Sequence, residues 1–274
     1  MSRSDIPRSS GGTAALAAAE SSPWTSLDER DRSRATVIRD RLLMGLALSS
    51  GAIDAICVLA LGKVFTAFMT GNVVYLGVSI AGGTGPALHS IAIALGGFAV
   101  GVFCSTLVVN PTRGTHVWPR RVTLALALSV IGHACFFILW LVVSGHPSQP
   151  VTDVLLGISA LAMGCQTAAV FSLGIAGVFT TAATATLTVL AGDTAHWSST
   201  RPDRRMLVRL LLSIVVGAAC GGLLVLHARD VAPLLPLLTT TVVVASAGIA
   251  FTGRRSSQPT HRIAGDDVAA EKES

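Results

Sequence analysis

Of the 274 residues in the chain, 51% are hydrophobic and 13% charged, and the mean hydropathy is +0.66, whereas ordinary soluble domains are roughly a quarter charged. That balance excludes a water-soluble globular protein. The net charge of +5 does not mark a nucleic-acid surface, because Lys and Arg lie in tails and short loops beside apolar runs, the pattern of cytoplasmic anchoring.

Charge is also unevenly spread, with 13 charged residues in 1–41 and 8 in 253–274, leaving 14 for the 211 residues between. Residues 1–41, a mixture of Ser, Gly, Ala, Arg and Asp, are expected to form a disordered cytoplasmic tail. The apolar patch from Ala14 to Ala19 is too short, and too far from a basic start, for a signal peptide. A second disordered cytoplasmic tail is expected over 253–274, and the membrane domain over 42–252.

A hydrocarbon core of about 30 Å takes about 20 apolar residues per helix. Eight apolar runs follow in order, at 42–61, 64–82, 87–109, 122–144, 153–172, 175–192, 206–227 and 232–252. If all eight cross, the loop carrying Arg113, Arg120 and Arg121 falls outside while the inside loops at 83–86 and 145–152 hold no Lys or Arg, against the positive-inside tendency. If the second and sixth runs instead enter and return on one side, nearly all the arginines face the cytoplasm and mainly Lys63 and Arg229 lie outside. The expected fold is therefore all-α and polytopic, with six transmembrane helices and two broken or re-entrant segments.

The two interrupted runs resemble each other. Val64-Phe65-Thr66 through Leu76 matches Val178-Phe179-Thr180 through Leu190 at a constant offset of 114, with Thr70 aligned to Thr184. The run after each carries a GxxxG, Gly97 to Gly101 and Gly217 to Gly221, which permits close helix contact. The chain thus reads as an internal duplication with halves at 42–144 and 153–252. Three crossings per half make the repeat inverted, an arrangement that recurs in secondary transporters, where broken helices form the binding site near the midplane.

Asp54 lies mid-run in Gly51-Ala-Ile-Asp54, where an acid costs at least about 2.5 kcal/mol on insertion scales. It reads either as a proton or cation coupling site or as a hydrogen-bonded packing residue. Met69-Thr70-Gly71-Asn72 supplies a flexible Gly and two polar side chains to the break in the second run. Its counterpart is Ala183-Thr184-Ala185-Thr186, whose threonines could equally bond back to their own backbone. Gln166 falls about where the second half would repeat Asp54, allowing a two-residue gap, and could complete the polar centre or simply join helices. His133 reads as a packing hydrogen-bond donor in preference to a proton relay. Asp193 and His196, at the end of the sixth run, read as interfacial.

Cys57, Cys104, Cys135, Cys165 and Cys220 all fall in apolar stretches with no CxxC or metal-ligand spacing, so they read as packing residues; no metal site and no cofactor is expected. No hydrolytic or phosphate-binding motif occurs, and no pair of close acids, so the sequence gives no ground for an enzyme.

The combination of Gly51-x-x-Asp54, Phe65 through Met69-Thr70-Gly71-Asn72, and Met163-Gly164-x-Gln166 followed by a Thr-rich segment resembles the YoaK family of bacterial membrane proteins, over roughly residues 42–252. The resemblance implies about six membrane helices and supplies no substrate, the family being of unknown function. Ala185 departs from the pattern, which has a Gly there.

The leading reading is a small secondary transporter or permease of the bacterial inner membrane, multi-pass with both termini cytoplasmic. Asp54 would be the coupling group, and Thr70, Gly71, Asn72, Gln166, Thr184 and Thr186 would surround a small polar solute or ion. The alternative is a non-transporting scaffold, sensor or assembly partner whose tails recruit other proteins; a lipid-acting membrane enzyme is a weaker third. Membrane lipids and the unidentified solute or ion are the expected partners, with no nucleic acid, and the sequence admits a homo-oligomer.

Overall fold

The computed structural model describes residues 23–109, 117–174, 187 and 204–252. The described residues are helical apart from short connections: α1 (Pro23–Ala60), α2 (Met69–Ile80), α3 (Leu88–Val109), α4 (Arg120–Val142), α5 (Gln149–Phe171), α6 (Arg204–His227), a 3-10 turn (Arg229–Val231) and α7 (Leu234–Thr252). Among the described residues six stretches are long and apolar enough to cross a membrane: Ser33–Ala60, Leu88–Val109, Arg120–Val142, Gln149–Phe171, Arg205–His227 and Arg229–Phe251. α2 has 12 residues, about 18 Å of helix, too short to cross. The second interrupted run, 175–192, lies outside the described residues except for Leu187, as do 1–22 and 253–274.

α1 begins at Pro23, well before residue 42, so the expected disordered tail is helical in its latter part. The reason is visible in the side chains: Ala35 is buried and Ile38 packs on the same cluster as Leu42 and Leu46, continuing the apolar stripe at helical spacing. At the other end of α1, Gly62 and Lys63 take φ of 86° and 66°, left-handed values that end the helix. Ser144 and Gly145 do the same after α4, and Pro150 lies in the first turn of α5, where its missing N–H costs no helical bond.

Buried apolar residues form two clusters, and each takes one end of the bundle. One gathers Leu43 of α1, Val109 of α3, Leu126 of α4, Ala169 of α5, Leu207 of α6 and Ala247 of α7. The other gathers Ile56, Ile91, Phe136, Leu155, Val225 and Ala232. Following the chain through them, the six long helices alternate in direction, and the segment from Leu61 through α2 to α3 leaves and rejoins the bundle at the same end. Arg39, Arg41, Arg120, Arg121 and Arg205 fall at the first end, Lys63 and Arg229 at the second.

Two helix crossings repeat one another in atomic detail. A Cβ on Gly217 would collide with the Leu48 carbonyl of α1, and one on Gly51 would collide with the Ile214 carbonyl of α6 while standing 3.0 Å from Ala218 N. In the α3–α5 crossing, Gly101 meets the Leu161 carbonyl in the same way, and Gly164 meets the Phe98 carbonyl and stands 2.9 Å from Val102 N. Only glycine lets the backbones approach so closely. The equivalence pairs Gly101 with Gly217, one turn away from pairing the first glycines of the two GxxxG motifs. Ser105 and Gly221 then correspond: Ser105 Oγ donates to the Cys165 carbonyl at 3.0 Å, while a Cβ on Gly221 would stand 2.6 Å from the Ala52 carbonyl.

Candidate functional site: a held helix break beside a buried polar layer

Asp54 sits where α1 passes the connection that leads to α2. Its Oδ1 accepts the backbone N–H of Thr66 and of Ala67, both at 2.7 Å, and the Thr66 hydroxyl at 3.3 Å. Its Oδ2 accepts Phe68 N–H at 3.0 Å. These amides stand immediately before the first turn of α2, where Phe68 offers no capping side chain, and Asp54 supplies from a neighbouring helix the acceptors that these non-helical donors lack. A carboxylate there also faces the positive end of the α2 dipole. The knot extends to α5, because Ser159 Oγ donates to Thr66 Oγ1 at 3.1 Å, and Cys57 Sγ lies 3.8 Å from Ser159 Oγ.

Asn72 holds the other side of the break. Its Oδ1 accepts Phe65 N–H at 3.0 Å and its Nδ2 donates to the Phe65 carbonyl at 2.7 Å, so one amide side chain replaces the strand-like partner that an extended residue inside a membrane lacks. Gly71 is required by packing: a Cβ there would lie 2.8 Å from the Phe68 ring and 3.0 Å from that of Phe65. Those rings stand edge to face at 5.3 Å, and Tyr75 stacks on Phe65 at 6.3 Å. Thr70 is exposed and takes no part in the knot.

Gln166 lies elsewhere. It is fully buried on α5 and donates Nε2 to the Leu46 carbonyl at 3.1 Å. Leu46 precedes Asp54 by eight residues, about 12 Å along α1. The structure therefore joins Asp54 to Asn72 through the 64–68 connection and sets Gln166 apart; Thr184 and Thr186, with Asp193 and His196, are outside the described residues. The reciprocal crossings also place Thr167, not Gln166, in the position corresponding to Asp54.

Gln166 belongs to a different feature, a polar layer between the two apolar clusters. On α1 the layer holds Ser49, whose hydroxyl is 2.8 Å from Thr240 Oγ1 of α7 and 3.3 Å from the Pro236 carbonyl. On α4 it holds Ser129 and His133, both buried. Among the described residues, Ser129 Oγ, both ring nitrogens of His133, Gln166 Oε1 and Thr167 Oγ1 have no hydrogen-bond partner. The signal in the sequence was the i, i+4 spacing of Ser129 and His133 on the apolar face of the fourth run, which places both on one side of a helix. Thr66 and Ser159 were hidden for a different reason, since only the folded connection brings them to Asp54.

An all-helical, multi-pass membrane protein with six spanning helices and an acid-held helix break is the class that these features define. A family model described as a protein of unknown function (DUF1275) matches residues 42–246, and the chain belongs to that family. It is 34% identical over 193 residues to the UPF0700 transmembrane protein YoaK of Bacillus subtilis (strain 168), an alignment covering 70% of this chain and 84% of that relative. No solved structure matches the chain.

Proposed function

We propose that the protein is a small secondary permease of the bacterial inner membrane, with both termini cytoplasmic, built as two inverted halves. The reciprocal crossings support the inverted reading, because α1 with α6 and α3 with α5 make the same contacts although α1 and α5 run in opposite directions. The arginines gathered at one end of the bundle support the sidedness. The observation that carries the functional reading is the broken segment before α2, shaped by an acid of the first span. Discontinuous helices next to a polar midplane are the structural basis of solute sites in such folds.

Asp54 gives this break a means of coupling. As a carboxylate it only accepts, and every group facing it is a donor. A proton on it removes lone-pair capacity and leaves the Thr66 hydroxyl, at 3.3 Å, as the one group here able to accept its O–H. Protonation thus weakens the hold on the connection, so proton uptake would loosen the segment leading to α2.

The test is reconstitution of the full chain in vesicles containing a pH dye, with inward gradients of amides, polyols, amino acids and inorganic ions. The permease reading expects at least one solute to enter faster than into empty vesicles, and expects its proton movement to be lost in Asp54→Asn. If no solute class is carried, the reading fails; if flux persists in Asp54→Asn with its proton movement intact, the coupling role fails.

A further inference from the structure

The buried layer contains polar atoms that no described residue matches. An unpartnered buried donor or acceptor costs roughly 1–3 kcal/mol, and four such atoms belong to Ser129, His133 and Gln166, whose exposures are 0, 1 and 0%. These three residues lie within about one helical turn of one another along the bundle. Gly132 of α4 abuts Ala162 of α5, its Cβ position 2.7 Å from Ala162 Cβ, and the two helices are antiparallel. Ser129 lies three residues before Gly132 and Gln166 four residues after Ala162, so both move one turn in the same direction from that contact. His133 is the next residue after Gly132, and Gln166 is turned toward α1 by its bond to Leu46.

The chemistry of these groups is specific. A neutral His133 offers one donor and one acceptor, the Ser129 hydroxyl a donor, and Gln166 Oε1 an acceptor. The acids whose side chains are described lie off this level or are engaged: Asp54 with the connection, Asp40 with Arg39 at 2.9 Å, Asp153 with Ser90 at 2.8 Å, and Asp230 in the 3-10 turn beyond α6. A cation would meet no free acid at this level, and the arginines and Lys63 placed above stand at the two ends of the bundle, away from an anion here; an unpaired charge in a low-dielectric layer is far costlier than a neutral polar group.

We infer that Ser129, His133 and Gln166 form the solute site, and that its ligand is a small uncharged molecule that both donates and accepts hydrogen bonds, of the amide or polyol class. This rests on the permease reading and narrows it from any polar solute or ion to a neutral one.

The test uses pairs of similar shape and different charge: urea against guanidinium, and acetamide against acetate, with glycerol as the polyol. The full chain in nanodiscs, labelled with 15N-histidine, reports the His133 imidazole, assigned by its disappearance in His133→Phe. Urea, acetamide or glycerol should shift that signal saturably, guanidinium and acetate should not, and Ser129→Ala should weaken binding about fivefold, the weight of one hydrogen bond. Gln166→Met removes the acceptor at similar length; because it also breaks the bond to Leu46, Ser129→Ala, which severs no bond seen in the structure, keeps the test decisive if Gln166→Met does not fold. No shift with any neutral probe, or equal shifts with the charged ones, overturns the proposal. A saturable neutral-only shift in a protein whose vesicles take up none of the probes leaves the site standing and removes the permease reading instead.

Discussion

Replacing Asp54 by Asn tests the knot at its centre while hardly changing volume. The carboxylate accepts three backbone amides at 2.7, 2.7 and 3.0 Å. In the amide variant one oxygen remains to receive Thr66 and Ala67, now without charge assistance, and an NH2 group faces Phe68 N–H, donor against donor. Charged hydrogen bonds contribute about 1.5–3 kcal/mol each and neutral ones about half that. Losing one and weakening two amounts to about 3 kcal/mol, or roughly a hundredfold in the opening equilibrium of the connection. Hydrogen exchange of the full chain in detergent, read on peptides covering 64–69, should accelerate by about that factor, while peptides from α7 keep the wild-type rate. Exchange at 64–69 within about threefold of wild type would refute the argument that Asp54 holds the break.

Asn72→Leu should open the same connection from its other side, removing both bonds to Phe65, and exchange at 64–69 should rise while α7 is unchanged. Gly101→Leu and Gly217→Leu should each lower thermal stability in detergent by more than about 3 kcal/mol, because the facing backbone cannot yield as a side chain could. Gly248→Ala, with nothing within 4 Å of its Cβ position, should instead be neutral or stabilise by up to about 1 kcal/mol through helix propensity. Single cysteines at residues 84 and 148 should label from the side opposite one at 115; labelling of all three from one side would contradict the alternation of the six helices.

The six long helices were legible because each requires some 20 apolar residues and the arginines choose among ways of threading them. The break after α1 was legible in Gly71 and Asn72, although their roles were not. Gly71 makes room for Phe65 and Phe68, and Asn72 clamps Phe65, neither of which can be read without knowing that the chain turns at Gly62 and Lys63. Asp54 stood out as an acid in an apolar run, but its partners are amides, and amides carry no sequence signature. Gln166 was set opposite Asp54 by allowing a two-residue gap; backbone contact at Gly51 and Gly164 moves the register one residue on, to Thr167. His133 read as a packing donor on its own, whereas in the fold it is buried with no acceptor among the described residues.

A small neutral solute should pass through the layer between the two apolar clusters. Stopped-flow light scattering of reconstituted vesicles after an osmotic jump with urea, acetamide or glycerol measures this directly. At least one of the three should enter faster than into protein-free vesicles, and Ser129→Phe, which fills the layer, should return its rate to the protein-free value while the protein stays folded. Entry of all three at the protein-free rate, or a rate in Ser129→Phe equal to wild type, would contradict the account.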